Sequence, residues 1–565
     1  MVTRNELIEK YLKFFKSKKH KEIPNSSLIP ENDPTALFIS AGMHPLVPYL
    51  LGQPHPQGKR LVNIQKCIRT TDIEEVGDEY HHTFFEMVGN WSLNDYWKKQ
   101  AIEYSIEFLT KVLKISKNKI SITCFKGNKD AKKDTESANI WDSLGIKKIK
   151  FLGKKDNWWG PTGKTGPCGP DTEMFVNNVE IWNDVFMEYN KDSKGNYIPA
   201  KQKNIDTGMG VERTLAILND FEDNYLTEIW KPLINQIEKL SKKTYGKDKE
   251  ITKFMRIIAD HIKASVFILA ENILPSNTEQ GYVLRRLIRR ATRYGNKLKI
   301  KNFTKQIAEP VFSIYSDYTE LKNKNKILQE LEKEEEKFLR TLEKGLNRFS
   351  KLTKNKKNLS GKDSFLLYQS FGFPIEMIEE ECKKNKIKFS KKEFEKEVSR
   401  HQIISRTATE GRFKSGLADD SEKTTRLHTA THLLITALRK VLKNKNIIQR
   451  GSNITAERLR LDFSFPRKIT QEELKKIEDL VNNQIKKSCN IIKKEMSPQE
   501  AKKQGALGIF DKKYKDKVYV YCIEDFSKEI CAGPHVKNTC ELGKFKILKE
   551  QSSSEGVRRI KAVLT

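Results

Sequence analysis

Hydrophobic positions follow two different spacings along the chain, and the first covers residues 1 to about 240. Short apolar stretches alternate there with Gly/Pro turns, and Phe84–Val88 shows the alternation of a strand. Helical spacing appears at the start, in Asn5–Phe15. The pattern predicts an α+β domain with a mainly antiparallel sheet and a few helices.

From about residue 250 the spacing of apolar residues becomes helical. One helix is predicted over Ile257–Ile273, stopped by Pro275, and a second over Gln280–Arg293. A third, Ile327–Phe349, carries Glu and Lys at its other positions, so it would pack along one side only. These segments predict a helical middle domain.

The last part of the chain mixes the two patterns. A helix is predicted from Leu427, followed by strands such as Leu459–Phe465 and Val518–Ile523. The polar segment Thr407–Lys423 contains two glycines and suits a linker into this last, α+β domain.

The length of 565 residues is too great for one hydrophobic core. The changes of pattern divide the chain into three predicted domains, 1–240, 241–405 and 406–565. The formal net charge of +31 would attract a polyanion such as tRNA or DNA. A general enrichment in Lys would give the same charge without such a partner, so charge alone does not decide.

The cysteines and the N-terminus bear on the compartment. Eight cysteines are scattered without a Cys-x-x-Cys pair, which favours a reducing compartment. Met1–Lys21 mixes acids and bases and lacks the apolar core of a secretory signal. No stretch approaches the ~20 apolar residues of a membrane span. We therefore expect a cytoplasmic protein with no membrane partner.

Four stretches of the first domain combine glycine, arginine, acidic and aromatic residues. They are Gln65–Arg69 with His81–Trp91, then Asp156–Glu173, Glu180–Met187 and Asp206–Arg213. The Gly163-Lys164-Thr165 triplet invites a P-loop interpretation, but Trp158 stands where that motif requires glycine. Nearby prolines would also break the helix that a P-loop needs, so we reject it.

Basic residues on the second middle helix are confined to one arc. At about 100° per residue, its arginines share one face and its apolar residues the other. The arginines are Arg285, Arg286, Arg289, Arg290 and Arg293. Such a face suits RNA phosphates. The alternative, a solvated helix face, is weakened because no acids interleave with the arginines.

Two histidines and a Cys–His pair form a candidate metal site in the last domain. His428 and His432 lie one helical turn apart, and Cys531 and His535 have the spacing Cys-x-x-x-His. Four nitrogen and sulfur ligands suit tetrahedral Zn²⁺. A lone His-x-x-x-His pair is more often structural, so the interpretation depends on the second pair.

The four stretches of the first domain, in this order, resemble the catalytic domain of class II aminoacyl-tRNA synthetases, specifically the alanyl-tRNA synthetase family. The resemblance covers nearly the whole chain. It implies ATP-dependent attachment of L-alanine to tRNA(Ala) through an alanyl-adenylate, with Mg²⁺ accompanying ATP.

The resemblance also assigns residues to the two small substrates. Arg69 would bind the α-phosphate of ATP and Arg213 its terminal phosphates; the other implied ATP contacts are His82, Met87, Gly208 and Gly210. For alanine, Asp206 would pair with the ammonium group and Asn183 would form a hydrogen bond. Trp159 and Val185 would wall a methyl-sized pocket, although Trp159 could instead be a core aromatic residue.

In the middle domain the resemblance implies tRNA contacts. Asn277 would recognise the G·U pair of the acceptor stem in its minor groove. A second reader in the family is commonly an Asp in Leu-Tyr-Asp-x-x-Gly-Phe-Pro. Gln369 stands there in this chain and lacks the charge, so that role is carried over weakly.

The last domain resembles the editing domain of the same family. Thr431 and Gln449 match positions that line its pocket, and Pro534 replaces a threonine without changing the ligand spacing. The implied activity is hydrolysis of Ser-tRNA(Ala) and Gly-tRNA(Ala). A single Zn²⁺ would serve this site, either activating water or positioning the tRNA end.

Two other functions remain open. A free-standing editing hydrolase or zinc-binding RNA protein would need only residues 410–565, and Arg69, Asp206 and Arg213 argue against it. The second alternative is a catalytically silent RNA-binding relative of the synthetases. The chain ends after the editing-like region, where many family members continue into an oligomerisation domain, so we expect a short form that is a monomer.

Overall fold

The structure is a computed structural model that describes the following residues: 1–31, 33, 36–163, 165–354, 356–371, 373, 375–410, 421–444, 446–506, 517–531, 533–554 and 556–565. These residues form two compact units, Met1–Arg348 and Phe349–Thr565. Lys164 of the rejected P-loop triplet and residues 411–420 of the predicted linker lie outside the described residues.

The α-helices have the following bounds: α1 Arg4–Ser17, α2 Val47–Leu50, α3 Lys98–Glu107, α4 Thr135–Ser143, α5 Val211–Leu218, α6 Lys231–Ser241, α7 Lys249–Ala270, α8 Glu279–Lys297, α9 Thr304–Ile314, α10 Lys324–Thr353, α11 Gly361–Phe371, α12 Ile375–Lys384, α13 Lys391–Glu410, α14 Glu422–Val441, α15 Gln471–Lys486 and α16 Pro498–Lys503. The strands are β1 Lys21–Glu22, β2 Arg60–Ile68, β3 Phe84–Leu93, β4 Ile120–Phe125, β5 Ile149–Leu152, β6 Trp158–Trp159, β7 Gly166–Val176, β8 Val179–Lys191, β9 Tyr197–Gly210, β10 Asn358–Leu359, β11 Lys388–Phe389, β12 Gln449–Thr455, β13 Arg458–Ser464, β14 Ile491–Met496, β15 Val518–Ile523, β16 Ser527–Ile530, β17 Phe545–Ser554 and β18 Val557–Leu564.

A nine-stranded sheet organises the first unit among the described residues. Its order is β1-β2-β3-β9-β8-β7-β4-β5, with β6 paired to β7 beside this path. The pairs from β2 to β4 are antiparallel, whereas β1–β2 and β4–β5 at the two edges are parallel. The predicted mainly antiparallel sheet is confirmed, and the parallel edges make it mixed.

One face of this sheet packs on helix α1. The helix begins with a capping box, in which the Thr3 side chain accepts from the Glu6 amide and the Glu6 side chain accepts from the Thr3 amide. Tyr11 and Phe15 then reach the sheet and lie against the buried Trp182 of β8. The Tyr11 hydroxyl donates to Asn90 Oδ1 at 2.9 Å, which satisfies a buried polar pair.

The helices of the middle region follow the predicted spacing with shifted ends. Helix α7 is buried along most of its length and ends at Ala270. The prediction that it continues to Ile273, with Pro275 as its stop, was wrong, because the chain turns at Asn272 with a positive φ of 61°. Helix α8 includes the predicted Gln280–Arg293, and α10 includes Ile327–Phe349.

In the second unit, helices α14 and α15 pack on a four-stranded sheet of order β12-β13-β18-β17. The predicted strands appear as β13 and β15. Helix α14 begins at Glu422 rather than Leu427, because the Ser421 side chain caps it by accepting from the Thr424 amide. The predicted linker is also shorter than expected, since residues 407–410 belong to α13 and 422–423 to α14.

Among the described residues, every helix is too short or too polar to cross a membrane.

Candidate active site and metal site

Strands β3, β8 and β9 bring the predicted ATP and alanine residues to one face of the large sheet. Met87 pairs with Gly210, Asn183 with Gly208, and Val185 with Asp206. Directly paired residues project to the same side of a sheet, and residues two apart along a strand share that side. This face is opposite the one that packs on α1.

A pocket opens on this face. It is lined by Arg69, Asp72, Tyr80, His82, Phe85, Met87, Glu180, Ile181, Asn183, Gly208, Gly210, Glu212 and Arg213. All of the predicted ATP residues are among them, and so is Asn183 from the predicted alanine set. The sequence did not single out Asp72, Tyr80, Phe85, Glu180, Ile181 or Glu212. Strand alternation with Asn183 was a usable signal for Ile181.

The two pocket arginines are held in place by neighbouring groups. Arg69 donates through Nε to the Ser40 carbonyl at 3.2 Å, and its guanidinium lies 4.9 Å from the centre of the Phe85 ring. Arg213 donates through Nη1 to Glu180 Oε2 at 3.0 Å. Both guanidinium groups line the pocket, so they are positioned to contact an anionic ligand.

His82 is buried and also lines the pocket. Its ring stacks on Trp230 at 4.7 Å between centroids, and its Nε2 lies 2.9 Å from Asn224 Nδ2. Burial holds the pKa of His82 well below its usual range, and the cationic Lys263 and Arg213 add to this effect. The ring is therefore neutral at pH 7.

Gly208 allows a close approach between β9 and Met87. A Cβ at this position would lie 2.8 Å from Met87 Sδ and 3.4 Å from Asn183 Oδ1. At Gly210, by contrast, a Cβ would meet open space in the pocket. Gly208 thus leaves room for the Met87 side chain, and Gly210 leaves room for a ligand.

For the alanine activation that the sequence resemblance implies, we expect Gly208→Ala to lower alanine-dependent ATP–pyrophosphate exchange about tenfold, because overpacking of this kind costs ~1–3 kcal/mol. The displaced Met87 thioether would enter the pocket, so the KM for ATP should rise. Gly153→Ala is the matched control, since a Cβ there meets Lys126 Cε at an ordinary 3.5 Å. Equal activity of the two variants would contradict this account of Gly208.

Asp206 is buried beside the pocket, where Trp91 Nε1 donates to its Oδ1 at 2.7 Å. Burial raises the pKa of Asp206 to about 8, although the Trp91 hydrogen bond opposes the shift. A buried carboxyl group with this single side-chain donor favours a cationic partner.

Apolar side chains surround this carboxyl group. Val185 and Trp91 are buried in one cluster with Met87, and the half-buried Trp159 packs against it. Trp159 belongs to the short strand β6 and pairs with Gly169. The predicted walls of the methyl pocket are therefore in one apolar cluster with the predicted ammonium ligand at its edge.

Two further acidic residues lie near Arg213. Glu180 lines the pocket, and Glu173 of β7 is paired across the sheet with Asn183. Burial and the neighbouring Glu180 raise the pKa of Glu173 to about 8. A cation bound at this site would stabilise the ionised form of both carboxyl groups.

The arginines of α8 have acidic partners from other elements. Arg286 pairs with Glu74, and Arg289 Nε donates to Glu334 Oε1 at 2.7 Å. Arg290 bonds the Ile73 carbonyl, and its Nη2 lies 3.5 Å from Glu74 Oε2. Although no acids interleave with the arginines of α8, acids from other elements supply counter-charges to this face.

The other predicted tRNA residues differ in exposure. Asn277 is exposed just before α8, and its side-chain oxygen accepts a hydrogen bond from Arg285 on that helix. Arg293, one turn beyond Arg289, is buried, so the prediction that it belongs to an exposed phosphate-binding face was wrong. Gln369 is exposed on α11, in the second unit. Gly372 and Pro374 of its sequence motif lie outside the described residues.

The predicted metal ligands come together. One ligand atom from each of His428, His432, Cys531 and His535 lies within 4.8 Å of the others. Helix α14 supplies the first two, and the segment after β16 supplies the others. His428 Nε2 is 3.4 Å from Cys531 Sγ, and the His428 and His535 rings stack at 4.3 Å.

Hydrogen bonds orient two of these imidazoles. His428 Nδ1 donates to the Pro534 carbonyl at 3.0 Å. The Thr429 hydroxyl donates to the Thr425 carbonyl at 3.2 Å, so its oxygen accepts from His535 Nδ1 at 3.1 Å. With Nδ1 protonated, each Nε2 carries a free lone pair, as a metal ligand requires. His535 Nε2 is buried and has no hydrogen-bond partner among the described residues, as expected of a nitrogen that binds a metal ion.

Burial lowers the pKa of His428 to about 4 and that of His432 to about 3, and the proximity of His428 adds to the second shift. The pKa of His535 is lowered for the same reasons. Neutral imidazole is the form that binds a metal ion. Tyr521, which the sequence did not single out, lies 4.2 Å from the His535 ring.

Of the two predicted editing residues, Thr431 lies next to His432 on α14 and Gln449 lies at the start of β12. Thr431 is buried between the two helical histidines, and its hydroxyl donates to the Leu427 carbonyl at 2.9 Å. Gln449 begins β12 and donates to Ser452 Oγ at 3.3 Å.

Comparison with known proteins places this geometry in a family. The model described as "tRNA synthetases class II (A)" matches residues 6–462, and "Threonyl and Alanyl tRNA synthetase second additional domain" matches residues 518–561. The alanine–tRNA ligase of Borrelia hermsii is 51% identical over 99% of this chain and 99% of its own length. That of Treponema denticola is 53% identical over 100% and 99%. The chain belongs to the alanine–tRNA ligase family.

Membership of the alanine–tRNA ligase family makes the chain an aminoacyl-tRNA synthetase and confirms the predicted family and enzyme class. Its mixed sheet with helices is the class II catalytic domain, and residues 518–561 belong to the second additional domain. A more distant relative, the alanine–tRNA ligase of Petrotoga mobilis, is 35% identical over 99% of this chain and 80% of its own length.

Proposed function

We propose that the chain attaches alanine to tRNA(Ala) through an alanyl-adenylate and hydrolyses Ser-tRNA(Ala) and Gly-tRNA(Ala) at its second site. The main support for the alanine-attaching activity is the face that β3, β8 and β9 share. It combines two oriented guanidinium groups with a buried carboxyl group in an apolar cluster.

The pocket suits ATP because adenylyl transfer concentrates negative charge on phosphate oxygens. Arg69 would stabilise the α-phosphate during attack by the alanine carboxylate, and Arg213 the departing pyrophosphate. Their contacts with Ser40, Phe85 and Glu180 fix the guanidinium groups before ATP binds.

Carboxylate oxygens are ligands that Mg²⁺ accepts. Glu180 in the pocket, with Glu173 beside it, fits the Mg²⁺ that accompanies ATP. Burial and then the negative charge of Glu180 raise the pKa of Glu173, and a bound cation would offset both effects. The ion would neutralise phosphate charge when bound.

Alanine fits the edge of the same face. Its ammonium group would pair with Asp206, its polar groups would reach Asn183, and its methyl group would contact Val185 and Trp159. The pocket has apolar walls and one acidic group, so it selects a small amino acid by size and by charge.

The raised pKa of Asp206 predicts a pH dependence of alanine binding. Below pH 8 the empty site holds a protonated carboxyl group, and binding an ammonium ion requires its ionised form. The KM for alanine in pyrophosphate exchange should therefore rise as pH falls from 8.5 to 6.5, by about tenfold per unit well below the pKa. A flat alanine profile over this range would contradict the assignment.

The editing activity rests on the His428–His432–Cys531–His535 cluster and on a chemical need. A pocket for a methyl side chain cannot exclude glycine, which is smaller, and discriminates against one added hydroxyl by only ~1–3 kcal/mol. A second hydrolytic site would remove both products. Four protein ligands would close tetrahedral coordination, so the Zn²⁺ would position the aminoacyl end of the tRNA rather than activate water.

The tRNA partner is supported by the net charge of +31, by the exposed Asn277 just before α8, and by its half-buried partner Arg285 on that helix. Minor-groove recognition of an acceptor stem needs donors and acceptors of this kind. We also propose that the chain has three domains with boundaries at about 240 and 405, that it is a monomer and that it is located in the cytoplasm.

Pyrophosphate exchange tests the activation step most directly. A folded sample should incorporate labelled pyrophosphate into ATP when alanine is present and not when it is omitted. Absence of alanine-dependent exchange would overturn the proposal and favour an editing hydrolase or a silent RNA-binding relative. Deacylation of Ser-tRNA(Ala) by the same sample separates these two alternatives.

A further inference from the structure

The segment between β2 and β3, residues 69–83, forms one wall of the ATP pocket. Asp72, Tyr80 and His82 of this segment line the pocket together with Arg69. A short 3₁₀ turn, Thr71–Glu74, is its one regular element. Such a segment has few backbone hydrogen bonds of its own, so its position depends on contacts with its surroundings.

Side chains from α7 and α8 hold this segment at several points. Arg256 of α7 donates through Nη1 to the Gly77 carbonyl at 3.2 Å and to Glu79 Oε1 at 2.8 Å. Arg290 of α8 donates to the Ile73 carbonyl. The two helices thus bind the middle and the beginning of the segment.

A buried chain of hydrogen bonds holds its end and reaches the pocket arginine. Arg290 Nη1 donates to His261 Nε2 at 2.9 Å, and His261 Nδ1 donates to Asp260 Oδ2 at 2.9 Å. Asp260 Oδ1 accepts from the Thr83 amide at 2.8 Å. The Thr83 carbonyl accepts from the Arg69 amide at 3.0 Å. We refer to this series as the Arg290–Arg69 chain.

The direction of the donors in this chain is determined by its ends. A guanidinium group only donates, so His261 Nε2 must accept and Nδ1 must carry the hydrogen. That leaves Asp260 to accept from both neighbours, as an ionised carboxylate can. Asp260 and His261 are fully buried. A buried polar series with one consistent donor pattern fixes one geometry, because any other arrangement leaves unpaired groups.

We propose that Asp260, His261 and Arg290 are positioning residues for amino-acid activation, which hold residues 69–83 and, through Thr83, the Arg69 backbone at the ATP pocket. The inference rests on the proposed ATP-dependent activation. It gives Arg290 a role in the activation site, whereas its position on α8 had suggested that it binds an RNA phosphate. A guanidinium that stabilises a transition state must be held within about 0.5 Å of its working position.

The test is Arg290→Gln in pyrophosphate exchange without tRNA. Misplacement of Arg69 and of the 69–83 segment should raise the KM for ATP about tenfold. The KM for alanine should stay within about twofold, because Asp206 and Val185 belong to β8 and β9. Arg290→Lys, which keeps a donor, should recover part of the loss. Arg340→Gln is the control, since Arg340 is exposed on α10 and pairs with Glu336 one turn away.

The outcomes separate the alternatives. An unchanged KM for ATP in Arg290→Gln, with weaker aminoacylation of tRNA, would make Arg290 an RNA ligand and overturn the inference. A lower kcat with both KM values unchanged and an equally lower folded fraction in thermal unfolding would indicate general destabilisation and would also overturn it. The same loss of kcat with the folded fraction unchanged would support the inference, because Arg69 acts on the transition state. If Arg290→Gln does not fold, His261→Ala is measured against the same criteria. Absence of exchange in the unmodified protein would instead refute the proposed function.

Discussion

Asp206→Asn should reduce alanine-dependent pyrophosphate exchange at least about 100-fold, since losing one partner of a buried charge pair costs ~3–5 kcal/mol. Asparagine is close in size and still accepts from Trp91 Nε1, so the apolar cluster is preserved. What disappears is the negative charge that the alanine ammonium needs. The loss should appear mainly in kcat/KM for alanine.

Asp184→Asn is the matched control for this experiment. Asp184 is also fully buried in the sheet, and burial raises its pKa to about 7, but its oxygens accept from Ser105 on the opposite face. Its exchange activity should stay within about threefold of the unmodified protein, the usual range for an isosteric change of one hydrogen-bonded group. Similar losses in both variants would mean that Asp206 acts through stability alone.

Local patterns in the sequence were sufficient to predict the helices and strands with clear apolar spacing and one face of the candidate active site. Alternation in strands determines which residues share a side, so once β8 and β9 pair, Asn183, Val185 and Asp206 must converge. The four-ligand cluster followed in the same way from a helical turn and a short Cys–His spacing. In each case a few residues close in sequence carry the geometry.

Contacts between distant segments could not be predicted in this way. Arg286 pairs with Glu74 and Arg289 with Glu334, so acids far away in sequence occupy an arginine face that looked unpaired. The Arg290–Arg69 chain likewise joins residues that are far apart in the sequence, as its Thr83–Asp260 bond shows with a separation of 177. Sequence spacing along one helix carries no information about such partners.

Helix ends were predicted less well than helix interiors. Apolar spacing located the centre of α14, but a polar cap at Ser421 determines where it begins. Proline was taken as the stop of α7, although the chain leaves the helix at Ala270 and turns at Asn272. Capping and positive φ depend on a few backbone groups, and apolar periodicity does not register them.

His432→Ala should abolish Zn²⁺ binding and editing while leaving alanine activation intact. The change removes one of the four ligand atoms that lie within 4.8 Å of one another. Bound zinc, measured by metal analysis, should fall from about one ion per chain to a small fraction. Hydrolysis of Ser-tRNA(Ala) should fall more than the ~10–100-fold that follows loss of an outer partner of a metal ligand.

Two measurements on the same samples make this prediction specific. Pyrophosphate exchange with alanine should be unchanged in His432→Ala. The residues proposed for alanine activation lie in the first compact unit, whereas the metal cluster lies in the second. Cys540→Ser, which alters an exposed free cysteine of the second unit, should retain both zinc and hydrolysis. Zinc retained in His432→Ala would refute the ligand assignment. Zinc lost with full hydrolysis would show that the cluster is structural and that editing chemistry takes place elsewhere.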